Sequence, residues 1–120
     1  MSAKVLYVDD EDTLRSLVKE QLSAEGFDVV VAEDGKAAME SMRAQAFDVI
    51  LLDILMPGMD GFSVLKEIKR LPKHPRVIML TGVNDISAAL ASLKHGANDY
   101  VTKPYDLKDL VSCINRVLAK

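Results

Sequence analysis

Four short apolar runs, Val5 to Val8, Val29 to Ala32, Val49 to Leu52 and Val77 to Leu80, are separated by stretches with helical spacing. This alternation restricts the chain more than any other feature. Runs of this length, rich in β-branched residues, predict strands buried on both faces, as in a parallel sheet. Asp99 to Thr102 is a weaker fifth strand. Between them lie Leu14, Leu17, Val18 and Leu22; Ala38, Met39 and Met42; Val64, Leu65 and Ile68; and Ile86, Ala89, Leu90 and Leu93. A last set, Leu107, Leu110, Val111, Ile114, Val117 and Leu118, has the clearest helical period. Strand and helix alternate five times, which predicts a single doubly wound α/β domain, (βα)5, over residues 1–120.

Acidic or amide residues suited to capping stand near the helix starts: Asp12, Asp34, Asp60, Asn84 or Asp85, and Asp106. Gly26 and Gly96 fall just past two helix ends. Right-handed crossovers put helices on both faces of the sheet only if the winding reverses, and a ligand crevice opens at the carboxyl ends of the strands beside that reversal.

Composition removes several function classes. The 120 residues suffice for one core without disulfides or structural metal. Eighteen acids against fifteen bases give a net charge of −3, which argues against a basic face for direct nucleic-acid binding. A single cysteine, Cys113, permits no internal disulfide and reads as a packed thiol rather than a nucleophile. No signal-peptide core, myristoylation glycine or membrane-length apolar run is present, so a soluble cytoplasmic protein is expected. His74 and His95 have no metal-ligand spacing, and MPGMDG lacks the glycine spacing of a P-loop or dinucleotide fingerprint.

Polar groups gather at the predicted strand ends. Asp9 and Asp10 follow the first run, Asp53 the third, Thr81 the fourth, and Lys103-Pro104 the fifth. Each alone has a plain structural reading as a cap or a solvated side chain, but their convergence on one edge does not. Three carboxylates in one place repel unless a cation lies among them. Magnesium suits such oxygen ligands, and Lys103 and Thr81 supply an ammonium and a hydroxyl for phosphoryl oxygens. The set reads as metal-assisted phosphoryl transfer to or from a carboxylate.

In this pattern, with Asp53 followed by Ile54-Leu55-Met56-Pro57-Gly58, Thr81-Gly82, and Tyr100 three residues before Lys103-Pro104, the whole chain resembles the receiver domain of two-component response regulators, the CheY-like fold. The resemblance implies strand order 2-1-3-4-5 and a phosphorelay switch that catalyses only its own phosphorylation and dephosphorylation. Asp53 would take a phosphoryl group from a sensor histidine kinase or histidine phosphotransfer protein. Asp10 and Asp53 would bind Mg2+ directly and Asp9 through water, with the Leu55 carbonyl completing the protein ligands. Lys103 and Thr81 would contact the phosphoryl group, Tyr100 would be the switch residue, and Lys103-Pro104 would be cis. Output would pass to a downstream domain or protein through the face of the fourth helix, fifth strand and fifth helix. Leu55 and Val83 depart from members with polar groups there, which puts rapid self-dephosphorylation in doubt and implies a long-lived phosphorylated form.

Two rival readings conflict with particular residues. An aspartate-based phosphatase would need a second aspartate two residues after Asp53, where Leu55 stands. A pseudo-receiver that binds without phosphorylation would lack acids or the lysine, and all are present. The chain ends at Lys120 after the fifth helix, which leaves a free-standing receiver and a fragment of a longer protein both open.

Overall fold

The structure, a computed structural model, describes residues 2–54, 56, 60–82 and 86–119. Strands β1 (Lys4–Val8), β2 (Asp28–Ala32), β3 (Val49–Asp53), β4 (Arg76–Thr81) and β5 (Asp99–Thr102) alternate with helices α1 (Asp12–Ala24), α2 (Gly35–Ala44), α3 (Gly61–Lys69), α4 (Ile86–Lys94) and α5 (Leu107–Leu118). The sheet is parallel throughout and ordered β2-β1-β3-β4-β5, as expected. Its winding reverses between β1 and β3, and β1 pairs with both β2 and β3.

Because successive strand residues point to opposite faces, each strand feeds two cores. Leu6, Val8, Ile50, Leu52, Val77 and Met79 pack with α2, α3 and α4 through Ala38, Val64, Leu65, Ile68 and Ala89. Val5, Tyr7, Val49, Leu51, Ile78 and Leu80 pack with α1 and α5 through Val18, Leu22, Leu110, Ile114 and Val117. Leu51, Leu52, Ile78 and Met79 are fully buried, which is why these strands read as continuous apolar runs.

Three expected caps are in place. Asp34 accepts from Ala37 N at 2.8 Å, Asp60 from Ser63 N at 2.9 Å, and Asp106 from Asp109 N at 2.8 Å. Asp12 is a correction: Glu11 is the N-cap of α1 and makes no side-chain cap bond. Asp12 instead sits in the first turn, where Arg15 claims its carboxylate. Asn84 and Asp85 lie outside the described residues. Gly26 and Gly96 take φ of 95° and 105° past α1 and α4, a left-handed turn that a side chain would strain.

Leu17 and Leu90 are about half exposed although both belong to the helical apolar sets. In α1 the buried stripe is Val18 and Leu22, four residues apart, and Leu17 lies one step round from it.

At the crevice end, Gly61 opens α3 against the end of β3. Its N–H donates to Ile54 O at 2.9 Å, and a Cβ there would come within 2.5 Å of the Asp53 carbonyl oxygen and 2.7 Å of Ile54 Cα. The backbones meet with no room between them.

Candidate functional site

Strand register builds the acidic corner. The pairing Val8↔Leu52, carried one residue on, sets Asp9 beside Asp53. Asp9 stays in the sheet by donating its N–H to Ala32 O at 3.1 Å. Carboxylate oxygens of Asp9, Asp10 and Asp53 lie within 4.8 Å of one another. Asp9 is fully buried and Asp53 nearly so, whereas Asp10 faces solvent.

Lys103 ties the two buried acids together, with Nζ 3.0 Å from Asp9 Oδ2 and 3.1 Å from Asp53 Oδ2. Its backbone N–H donates to Thr81 O at 2.6 Å, which extends the β4–β5 ladder by one rung, and the following peptide bond to Pro104 is cis as expected. Desolvation alone would lower the lysine pKa. The hydrogen bond to Asp9 and the charges of Asp53 and Asp9 outweigh it and hold the pKa above its ordinary value. Lys103 is therefore a fixed cation, but one ammonium among three carboxylates leaves the corner net negative.

Asp9 is further constrained by Glu11 N at 3.0 Å on Oδ1, by Arg15 Nη1 at 2.7 Å on its backbone carbonyl, and by the Tyr7 hydroxyl at 3.0 Å on Oδ2. The Tyr7 hydroxyl also contacts that of Tyr105. Burial, before any other cause, raises both phenols, Tyr105 to about 12. Sequence reasoning missed Tyr7, Arg15 and Tyr105. Tyr7 carried a signal, since it stands two residues before Asp9 and so shares its face. The Tyr7–Tyr105 contact spans 98 positions and carried none.

A cavity of about 260 Å³ opens at the strand ends, lined by Asp10, Asp53, Thr81, Gly82 and Lys103 with Ile54 and Leu80 as apolar walls. Thr81 ends β4 almost fully buried, and its hydroxyl donates to Gly82 O at 3.2 Å. Tyr100 is half-buried in β5 on the α2/α3/α4 face, in register with Met79 and hence on the side that Thr81 occupies. Cys113 is buried in α5, and burial followed by the Asp99 charge pushes its thiol up to about 11, in keeping with a packed and unreactive group.

Residues 5–115 match the family profile described as the response regulator receiver domain. The chain belongs to that family. This receiver is 35% identical to chemotaxis protein CheY of Bacillus subtilis (strain 168), over 98% of its own length and 99% of that protein's. It is 37% identical to the transcriptional regulatory protein TrcR of Mycobacterium tuberculosis, covering 98% of this chain and 46% of that one. The crystal structure of the receiver domain of NtrX from Brucella abortus superposes with a TM-score of 0.91 at 33% identity, over 97% of this chain and 98% of that one. The receiver spans about half the length of the first curated relatives it matches.

Among these site residues, the structure brings Asp9, Asp10, Asp53, Thr81 and Lys103 to one crevice. Leu55 and Val83 lie outside the described residues, as do Pro57, Gly58 and Met59. The receiver is a component of two-component signalling, and its acidic triad is a group that could hold a metal ion. Among the described residues no helix is long and apolar enough to cross a membrane.

Proposed function

We propose that this receiver is a phosphorylation switch whose acceptor is Asp53. The observation that carries the reading is Lys103 Nζ shared between Asp9 Oδ2 at 3.0 Å and Asp53 Oδ2 at 3.1 Å, beside a cavity open to a donor. An Asp53 carboxylate oxygen attacks phosphorus of a donor phosphohistidine. The new P–O bond forms as the P–N bond breaks, and its electron pair leaves with the imidazole. Lys103 already touches the acceptor carboxylate, so its ammonium lies within reach of a phosphoryl oxygen without travelling far. Thr81 lines the same cavity, and rotation about χ1 turns its hydroxyl from Gly82 O toward that oxygen.

The donor set fits Mg2+: three carboxylates with oxygens within 4.8 Å, one of them solvent-facing, and a net negative balance after Lys103 is counted. Asp10 and Asp53 would hold it directly and Asp9 through water. When bound, it supplies positive charge for the phosphoryl oxygens.

Thr81 and Tyr100 stand on one face of the sheet and support a route from the crevice to α4, β5 and α5, where α4 exposes Ile86 and Leu90. A histidine kinase or phosphotransfer protein would supply the phosphoryl group, and a downstream domain or protein would read that surface, with no direct contact to nucleic acid. Acetyl phosphate with magnesium tests the acceptor: intact-mass measurement should show one added phosphoryl group on the wild type and none on Asp53→Asn. Full labelling of that variant would overturn the assignment.

A further inference from the structure

Lys103 is not the only partner of the acidic corner. Tyr7 is fully buried in β1 on the α1/α5 face, and its hydroxyl lies 3.0 Å from Asp9 Oδ2, the oxygen that Lys103 also contacts. That hydroxyl meets the hydroxyl of Tyr105 as well. A phenol has one hydrogen to donate. With that hydrogen on the carboxylate, Tyr7 can only accept from Tyr105, so the direction of the chain is fixed. It runs from Tyr105 through Tyr7 to Asp9 Oδ2, where it meets the lysine that bridges to Asp53. Tyr105 directly precedes Asp106, the N-cap of α5, so the chain starts at the root of that helix.

We propose that Tyr7 and Tyr105 are positioning residues that keep Lys103 shared between Asp9 and Asp53. A carboxylate oxygen with two donors gives less of its charge to either. By donating to Oδ2, Tyr7 loosens the hold of Asp9 on the ammonium and leaves Lys103 available to the Asp53 side. Tyr105 strengthens the effect, because donation into the Tyr7 oxygen makes Tyr7 a better donor in turn. Without the Tyr7 hydroxyl, Asp9 would draw Lys103 toward itself, and Asp53, left with less of the ammonium, would present more unshared negative charge to a cation. The inference rests on the reading of Asp53 as the phosphoacceptor.

The test is a pair of measurements on wild type, Tyr7→Phe, Tyr105→Phe and the double variant: magnesium affinity by calorimetric titration, and the rate of Asp53 labelling by acetyl phosphate at saturating magnesium. Phenylalanine keeps the ring and its packing. A purely structural role therefore leaves both quantities unchanged, and a general loosening lowers both. The proposal requires them to move in opposite directions. In Tyr7→Phe the labelling rate should fall roughly tenfold, the scale of one hydrogen bond to a charged group, while magnesium binds more tightly. Tyr105→Phe should shift both in the same sense by less, and should add nothing once the Tyr7 hydroxyl is gone. Unchanged values in Tyr7→Phe, a fall in both, or a Tyr105→Phe effect that persists in the Tyr7→Phe background would overturn it. A wild type that fails to label would instead remove the phosphoacceptor reading, and the magnesium titration would still decide the role of the two tyrosines.

Discussion

On the α2/α3/α4 face of the sheet, the rows Leu6–Val8, Ile50–Leu52 and Val77–Met79 remain apolar to the crevice, and the group that follows Met79 on that side is the neutral hydroxyl of Thr81. On the α1/α5 face, the rows Val5–Tyr7 and Val49–Leu51 run on to Asp9 and Asp53, and Val101 is followed two positions later by Lys103. Period-two alternation thus sorts the site by charge. Asp9, Asp53 and Lys103 share one face, with the exposed Asp10 beyond the end of β1, and the uncharged Thr81 and Tyr100 that would report the chemistry share the other. With Asp53 as the proposed acceptor, the contrast predicts that transfer and readout separate on mutation even though Thr81 and Lys103 line one crevice.

The largest expected effect comes from the charged face. Lys103→Ala should slow Asp53 labelling by roughly 10²–10³-fold, the scale of losing one preorganised donor to a transferring group. Magnesium affinity should rise in the same variant, because the carboxylates lose their ammonium. On the other face, Thr81→Ala should change the labelling rate only severalfold, in line with one neutral hydrogen bond worth about 1 kcal/mol. The amide chemical shifts of Tyr100 and α4 should then no longer respond to beryllofluoride. A Thr81→Ala defect in labelling as deep as that of Lys103→Ala would collapse the division between the faces.

The smallest effect lies away from the crevice. Desolvation alone would raise the pKa of Asp99, but Arg116 Nη2 at 2.9 Å and Tyr100 N at 2.8 Å outweigh it and hold the carboxyl below its usual range. A depressed folded pKa contributes stability that is present above the unfolded value, about 3.9, and is lost as pH falls through the folded one. Asp99→Asn should therefore cost a little stability at pH 7, within the small range of exposed ion pairs. Urea titrations should show that cost shrinking toward pH 3, with labelling unaffected throughout. A cost that grows on acidification would contradict the pairing.

The strands were legible because burial on both faces leaves no room for polar residues. Val49 to Leu52 announced β3, and the structure adds only Asp53. Asp34, Asp60 and Asp106 were legible as caps because that interaction spans three residues. Asp12 misled because Arg15, one turn on, competes for its carboxylate, a choice that capping preference does not encode. Site residues were visible as a set of strand ends, but the lysine bridge depends on register and on the path after Thr102, which bring residues 50 and 94 positions apart into contact. The tyrosine chain was hidden for the same reason. A buried aromatic in a strand looks like core until its hydroxyl finds a partner from across the fold.

Gly61 bears no functional group, and yet the end of β3 leaves it no space for a side chain. A lineage could keep every acid, the lysine, the threonine and both tyrosines, and still displace the end of β3 through one added methyl group. Relatedness judged by charged residues alone would miss such a copy, since what had been erased was a gap.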